Sequence, residues 1–370
     1  MEQVFEIYGR RSRARTCDPL IKSQLLCQLS YAPPGRGGDI SEVSWLVDSS
    51  GAADNDLFYP WPPIPPLRIM AQTHQSLIAS LDPALRRDLL ERSDGAGLAH
   101  LAGHVGAVAG VGALILNQAP FWPALLLVQG VLVIFLFTTL HETIHRTAFK
   151  SPWLNQAVAV VCGLVVFLPP TWFRYFHFEH HRFTNDPARD PELATAKPKS
   201  RAQYWFYLTG LAVWWFQFRA LAVNAAGGND DSFVPAKGKP EVAAEARLYL
   251  AAYGLLAAGS LVLASDALIW VWLAPAALGQ PFLRAYLLAE HAGCPEVENM
   301  LENSRTTITN GVIRFITWNM PYHVEHHVMP SVPFHKLAEL HRHTAPHATV
   351  IEPGFIHFHR RMAATPSKKE

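Results

Sequence analysis

Six apolar stretches punctuate the chain, at roughly 98–116, 121–140, 156–173, 203–223, 248–264 and 267–289. Each approaches the ~20 residues that an α-helix needs to cross a hydrocarbon core. Only Asn117 to Pro120 join the first two stretches, and only Ser265 and Asp266 join the last two. Each pair therefore reads as a tight helical hairpin that crosses and returns. Neither connection holds a Lys or Arg, whereas the other loops carry Arg86, Arg146, Lys197 and Lys239 among others. The positive-inside rule then turns both hairpin tips outward and leaves the polar segments in the cytosol. The two middle stretches differ: Pro169, Pro170, Arg174 and Arg219 at their polar ends suit helices lying in the interface. The pattern predicts four true spans plus two interfacial or re-entrant helices.

Composition narrows the class. Lys and Arg (31) nearly cancel Asp and Glu (30), so no charge excess would drive binding to a polyanion, and a nucleic-acid partner is not expected. The four Cys contain no CxxC, which argues against a zinc ribbon or a disulfide scaffold. The anomaly is eighteen His, and eight of them fall in three boxes. His141 and His145, in HETIH, sit four apart at the end of the second stretch. His177, His180 and His181 form HFEHH, and His323, His326 and His327 repeat that pattern as HVEHH. On a helix, spacings of three and four put imidazoles on one face, as a gripped metal requires. A ninth His, His291, ends the last apolar stretch in LLAEH. For all nine to share one face of a membrane, the segment between His141 and His177 must begin and end on the same side, and so must 203–223. Eight or nine His are too many for one ion and natural for two, although ligand type does not choose among Zn, Cu, Fe and Ni.

The boxes resemble those of the membrane-bound fatty acid desaturase and hydroxylase superfamily. HFEHHRFTNDPARDPEL (residues 177–193) and NMPYHVEHHVMPSVPFHKL (residues 319–337) look like the text around boxes two and three in its bacterial members. The resemblance covers about residues 98–345. It implies a non-haem di-iron centre, dioxygen as co-substrate, and removal of two hydrogens from an acyl chain. It also implies His141, His145, His177, His180, His181, His291, His323, His326 and His327 as ligands. One position departs: where animal acyl-CoA desaturases hold an Asn that carries an iron-bound water, this chain has Leu287. An unactivated methylene C–H bond yields to no side-chain base, so such chemistry belongs to a metal or cofactor.

The expected fold class is thus an all-α integral membrane protein of four transmembrane helices in two hairpins, two interfacial or re-entrant helices, and a cytosolic helical metal-binding cap. The expected location is a multi-pass, bacterial inner membrane, with the active site on the cytosolic face. Glu142, Glu179, Glu290, Glu325 and Asn319 are candidates to orient ligating rings, since such rings usually give their second N–H to a carboxylate or carbonyl. Asp186 and Asp190 are similar cases, and Arg284, two turns from His291, is expected to pair with a carboxylate or a lipid head. HKLAELHRH reads as a short amphipathic cap helix. No cysteine quartet or spare block would house a redox domain, so electrons are expected from a separate ferredoxin, rubredoxin or small haem protein with its reductase. A lipid hydroxylase or ketolase, acting on a carotenoid or alkane, is the alternative; a zinc transporter or sensor is a more distant one.

Residues 1–69 differ from the rest, with GRRSRAR, a Gly-rich patch and a Pro run. Residues 15–33 resemble a peptide that recurs when a transfer-RNA gene is translated by mistake, so the expected start is Met70. The expected divisions are an N-terminal extension (1–69), a cytosolic segment (70–97), the membrane domain (98–345) and a tail (346–370). The intact mass of the native protein tests the start: a product containing residues 1–69 overturns it.

Overall fold

The computed structural model describes residues 72–195 and 197–364; residues 1–69 and the expected start at Met70 lie outside them. The described chain is mostly helical. Two short helices, α1 (His74–Ser80) and α2 (Pro83–Leu89), are capped by Thr73 and Asp82, whose side chains accept backbone N–H groups of the first turn. Then come α3 (Asp94–Leu116), α4 (Trp122–Ile134) and α5 (Leu136–Ile144). The segments Pro83–Leu116 and Trp122–Ile144 are long and apolar enough to cross a membrane. They form the first expected hairpin, turned by Gln118 and Phe121 in the left-handed region.

The next apolar stretch is broken. α6 (Pro152–Val165) and α7 (Pro170–Phe183) meet at an angle of 98°. The break follows from Pro169 and Pro170, which cannot continue a helix. The fourth stretch divides at Gly210 (φ +68) into α8 (Arg201–Thr209) and α9 (Leu211–Ala225). The last pair folds as α10 (Lys239–Val262) and α11 (Ala274–His291), the latter entered through a π-helical turn at Ile269–Leu273. By length and hydropathy these two do not join the membrane-crossing set, which among the described residues numbers two, or three if the bent pair is one span. Charges at Lys239, Glu241, Glu245 and Arg247 dilute the start of α10, and Arg284 and Glu290 dilute α11. The free end of α10 is nevertheless wholly apolar outside, with Leu261 82% and Val262 85% exposed.

Two differences from the all-helical expectation lie after α11. Beyond α12 (Met300–Asn303), β1 (Thr306–Thr307) pairs in parallel with β2 (Ile351–Glu352), which brings the C-terminal segment back onto the third box. Nor do residues 346–364 trail as a tail. Between the strands lie α13 (Gly311–Ile316), α14 (His323–Val328) and α15 (Leu337–Thr344), and α16 (Phe355–Ala364) ends the described chain. Phe358 of α16 is fully buried against Tyr204, Leu288 and Ala292. The main core, around Leu89, Phe149, Trp318, Met320, Phe334 and Leu340, packs α1, α2 and the start of α3 against the α14–α15 unit.

Candidate metal centre

Each box is a helix end shaped by its own sequence. Box one closes α5, where Arg146 (φ 60) takes the left-handed conformation just after His145. Box two closes α7 and is followed by Asn185 (φ 60), an Asn where a helix C-terminus commonly turns left-handed. Box three is α14, entered through Trp318 and Asn319, both left-handed, with the Asn319 side chain donating to the Phe334 carbonyl at 3.1 Å.

All nine predicted imidazoles are buried and converge. They sort into two groups. His141, His145, His177, His181 and His326 form the first; His180, His291 and His327 form the second, and His323 joins it through an Nε2 atom 2.8 Å from that of His291. In the first group the Nε2 atoms of His145 and His177 stand 2.9 Å apart, those of His177 and His181 2.9 Å, and those of His181 and His326 3.0 Å. In the second, His180 and His291 stand 3.2 Å apart at Nε2. The HxxHH spacing divides by helix geometry. In box two the i,i+4 pair His177 and His181 faces the first group while His180 crosses to the second. In box three the assignment reverses: His323 and His327 face the second group and His326 the first.

Outer hydrogen bonds set the tautomers of the second group. His180 Nδ1 lies 2.9 and 3.0 Å from the two oxygens of Asp190, which accept its proton and leave the Nε2 lone pair facing inward. The His291 Nδ1–H donates to the Asn303 carbonyl at 3.2 Å. Thr184 Oγ1 donates to the His180 carbonyl at 2.8 Å and so accepts from His327 Nδ1 at 3.2 Å, leaving His327 Nε2 inward and without a partner. Burial first, then neighbouring imidazoles, holds His323, His326 and His327 well below the usual imidazole range, so they stay neutral.

This donor set fits metal ions. A ring nitrogen carries one proton or one lone pair, so Nε2 atoms that each approach two others at 2.8–3.2 Å cannot all be satisfied by one another. Two imidazoles at about 2.1 Å from one cation and at right angles would stand about 3.0 Å apart. The inward Nε2 of His327 would otherwise be a buried orphan costing about 1–3 kcal/mol.

Of the expected orienting groups, Asp190 orients a ligating ring, His180, and Glu290 lies beside another, its Oε1 3.4 Å from His323 Nδ1. Most of the other expected orienting groups are placed differently. Glu142 accepts the Phe334 N–H at 2.9 Å and ties box one to the segment after box three. Glu179 faces Arg182 at the surface, and Asp186 holds Ala188 and Arg189 in the next turn. Arg284 meets the Tyr207 hydroxyl, with Glu192 and Glu290 near it. Glu325, fully buried, accepts from Thr306 at 2.5 Å, Thr344 at 2.5 Å and His341 at 2.7 Å, and so pins α14 to β1 and α15. Glu325→Ala would strand those three groups; we expect a loss of about 3 kcal/mol or more, read as a lower melting temperature in detergent, and an unchanged melting temperature would contradict this.

Sequence reading missed Thr184, Asn303 and Arg305. Arg305 is buried, donates to the carbonyls of Ala289 (2.6 Å) and Ala292 (2.8 Å), and caps the end of α11 where His291 sits. No spacing rule marks these three: Asn303 and Arg305 reach the site from a loop more than a hundred residues after box two, and Thr184, the C-cap of the box-two helix, turns its hydroxyl to His327 of box three.

Comparison with known proteins agrees with this geometry. The family model described as fatty acid desaturase matches residues 118–358, which contain every one of the nine imidazoles. The chain belongs to the fatty acid desaturase family. It is 26% identical over 223 residues to a sphingolipid delta(4)-desaturase of Drosophila melanogaster, covering 58% of this chain and 63% of that protein. It is 28% identical over 209 residues to a sphingolipid delta(4)-desaturase/C4-monooxygenase of Homo sapiens, covering 54% and 58%. The corresponding protein of Rattus norvegicus is 26% identical over 205 residues, covering 52% and 56%. This desaturase-family chain thus spans somewhat over half the length of these relatives. All three are animal proteins and lend nothing to the bacterial resemblance.

Proposed function

We propose that the protein is a membrane-bound lipid desaturase that uses dioxygen and two iron ions, one held by His141, His145, His177, His181 and His326 and the other by His180, His291, His323 and His327. The observation that carries this is the convergence of nine buried imidazoles, drawn from four separate segments, into two groups with lone pairs turned inward. Bound iron would supply the oxygen chemistry that an unactivated C–H bond demands. The protein's own part is to hold His323, His326 and His327 neutral, fix the tautomers of His180, His291 and His327 from outside through Asp190, Asn303 and Thr184, and keep water from a centre in which all nine rings are buried. The substrate is the acyl or sphingoid chain of a membrane lipid, entering between the helices while its head stays near the polar loops. α10 and α11 complete a four-span, multi-pass arrangement whose metal groups face the cytosol. Electrons come from a separate donor protein. Insertion of oxygen in place of desaturation is the second reading, favoured by the C4-monooxygenase activity in the names of the human and rat relatives.

Lipid analysis of a host expressing the full chain, beside a His177→Ala control, tests both. A new unsaturated lipid in the first strain alone supports desaturation, a new hydroxylated lipid supports the second reading, and no new lipid counts against both. Asp190→Asn exchanges an acceptor for a donor at His180 Nδ1 and favours the wrong tautomer; about a 10–100-fold weaker retention of one metal ion is expected, measured by chelator competition. Retention equal to that of the native protein would remove Asp190 from this role.

A further inference from the structure

The two groups are unequal, five rings against four, and Leu287 offers no donor to the smaller one. A carboxylate stands there instead. Glu192 Oε2 lies 3.4 Å from His180 Nε2, the atom that also faces His291 Nε2 at 3.2 Å. Because neutral His180 carries its one N–H at Nδ1, where Asp190 accepts it, this Nε2 presents a lone pair. An oxygen lone pair facing a nitrogen lone pair is repulsive unless a proton or a metal cation lies between them, and the convergence of His291 Nε2 on the same point suits a metal ion, which can take all three lone pairs at once. The placement of Glu192 is built from the same residue that sets the ring. Asp190 caps the 3-10 turn Pro191–Ala194 by accepting the Glu192 N–H at 2.9 Å, while its carboxylate holds His180. The second Glu192 oxygen, Oε1, is taken by Lys197 Nζ, which leaves Oε2 as the free arm.

We propose that Glu192 is a tenth metal-ligating side chain, giving Oε2 to the ion held by His180, His291, His323 and His327, with Lys197 as the positioning residue that holds its other oxygen. This rests on the two-ion reading above. It makes the pair electrically unlike: one ion has only neutral imidazoles, and the other has a carboxylate that cancels part of its charge.

The full chain, purified in detergent and loaded with iron-57, tests this through metal content, chelator competition and the Mössbauer spectrum of native protein, Glu192→Ala, Glu192→Gln and the surface control Glu179→Gln. The native protein is expected to hold two ions with distinct spectra. Glu192→Ala should fall from two ions towards one. Glu192→Gln, which keeps shape and so guards against misfolding of the Ala variant, should release one ion at least about tenfold more readily and alter one of the two spectra. Glu179→Gln should match the native protein. Two ions with native retention and an unchanged spectrum in Glu192→Gln overturn the Glu192 assignment alone. A native protein that holds fewer than two ions overturns it together with the di-iron reading.

Discussion

His181→Ala is expected to reduce lipid product more than about 100-fold and to lower metal content, because no other single ring touches both halves of the centre in the same way. Its Nε2 lies 2.9 Å from that of His177 and 3.0 Å from that of His326. Its ring stacks on His327 of the second group with centroids 4.2 Å apart. Loss of a group that merely orients a ligand costs about 10–100-fold in metal affinity or activity, so loss of a ligand should exceed that range. A hundredfold loss corresponds to about 2.7 kcal/mol of transition-state stabilisation. His347→Ala is the control, since His347 is exposed and lies outside both groups. Full product and two bound ions in His181→Ala would remove that ring from the centre and, with it, the five-and-four division.

Gly279→Ala should destabilise the protein by about 3 kcal/mol or more, and Gly279→Val should leave little folded protein. A Cβ at Gly279 would sit 2.1 Å from the Gly130 carbonyl oxygen, and one at Gly130 would sit 2.5 Å from the Pro275 carbonyl oxygen. The obstacles are backbone atoms, which no rotamer change can move, so α4 and α11 would have to separate. Overpacking usually costs about 1–3 kcal/mol, and contact of two backbones belongs at or above the top of that range. Small residues let helix backbones approach in this way within membranes. The crossing matters for the site because α4 leads through α5 to His141 and His145, while α11 ends at His291. Melting in detergent measures the effect. Gly110→Ala in α3, where a new Cβ meets nothing within 4 Å, should be neutral or stabilise by up to about 1 kcal/mol. If Gly279→Ala melted with the native protein, the close crossing would be wrong.

Much of this was legible in the sequence. Box spacing marked eight of the nine imidazoles, the end of the last apolar stretch marked His291, and the need to return them to one face gave the expectation that 156–173 and 203–223 are not straight spans. Pro169, Pro170 and Gly210 carry those breaks locally. The Glu residues within and beside the boxes misled in one respect. Glu142 and Glu325 look in sequence like partners of the neighbouring His, but a helix turns about 100° per residue, so the next side chain points elsewhere. There they tie the boxes to Phe334, Thr306 and Thr344. Two-residue strands such as β1 and β2 lie below any periodic signal, since pairing alone defines them.

The sequence by itself determined that His141 and His145, His177 and His181, and His323 and His327 act in pairs, because a spacing of four within a helix is local geometry and survives whatever the helix packs against. It also determined that the chain is mostly helical and rich in membrane-facing apolar surface. Only the tertiary structure decided the division into five rings and four, the reversal between boxes two and three, and the arrival of Glu192, Asn303 and Arg305 beside the second group. Those outcomes depend on how helices far apart in the chain are rotated and crossed, and rotation is set by packing such as the Gly130–Gly279 contact.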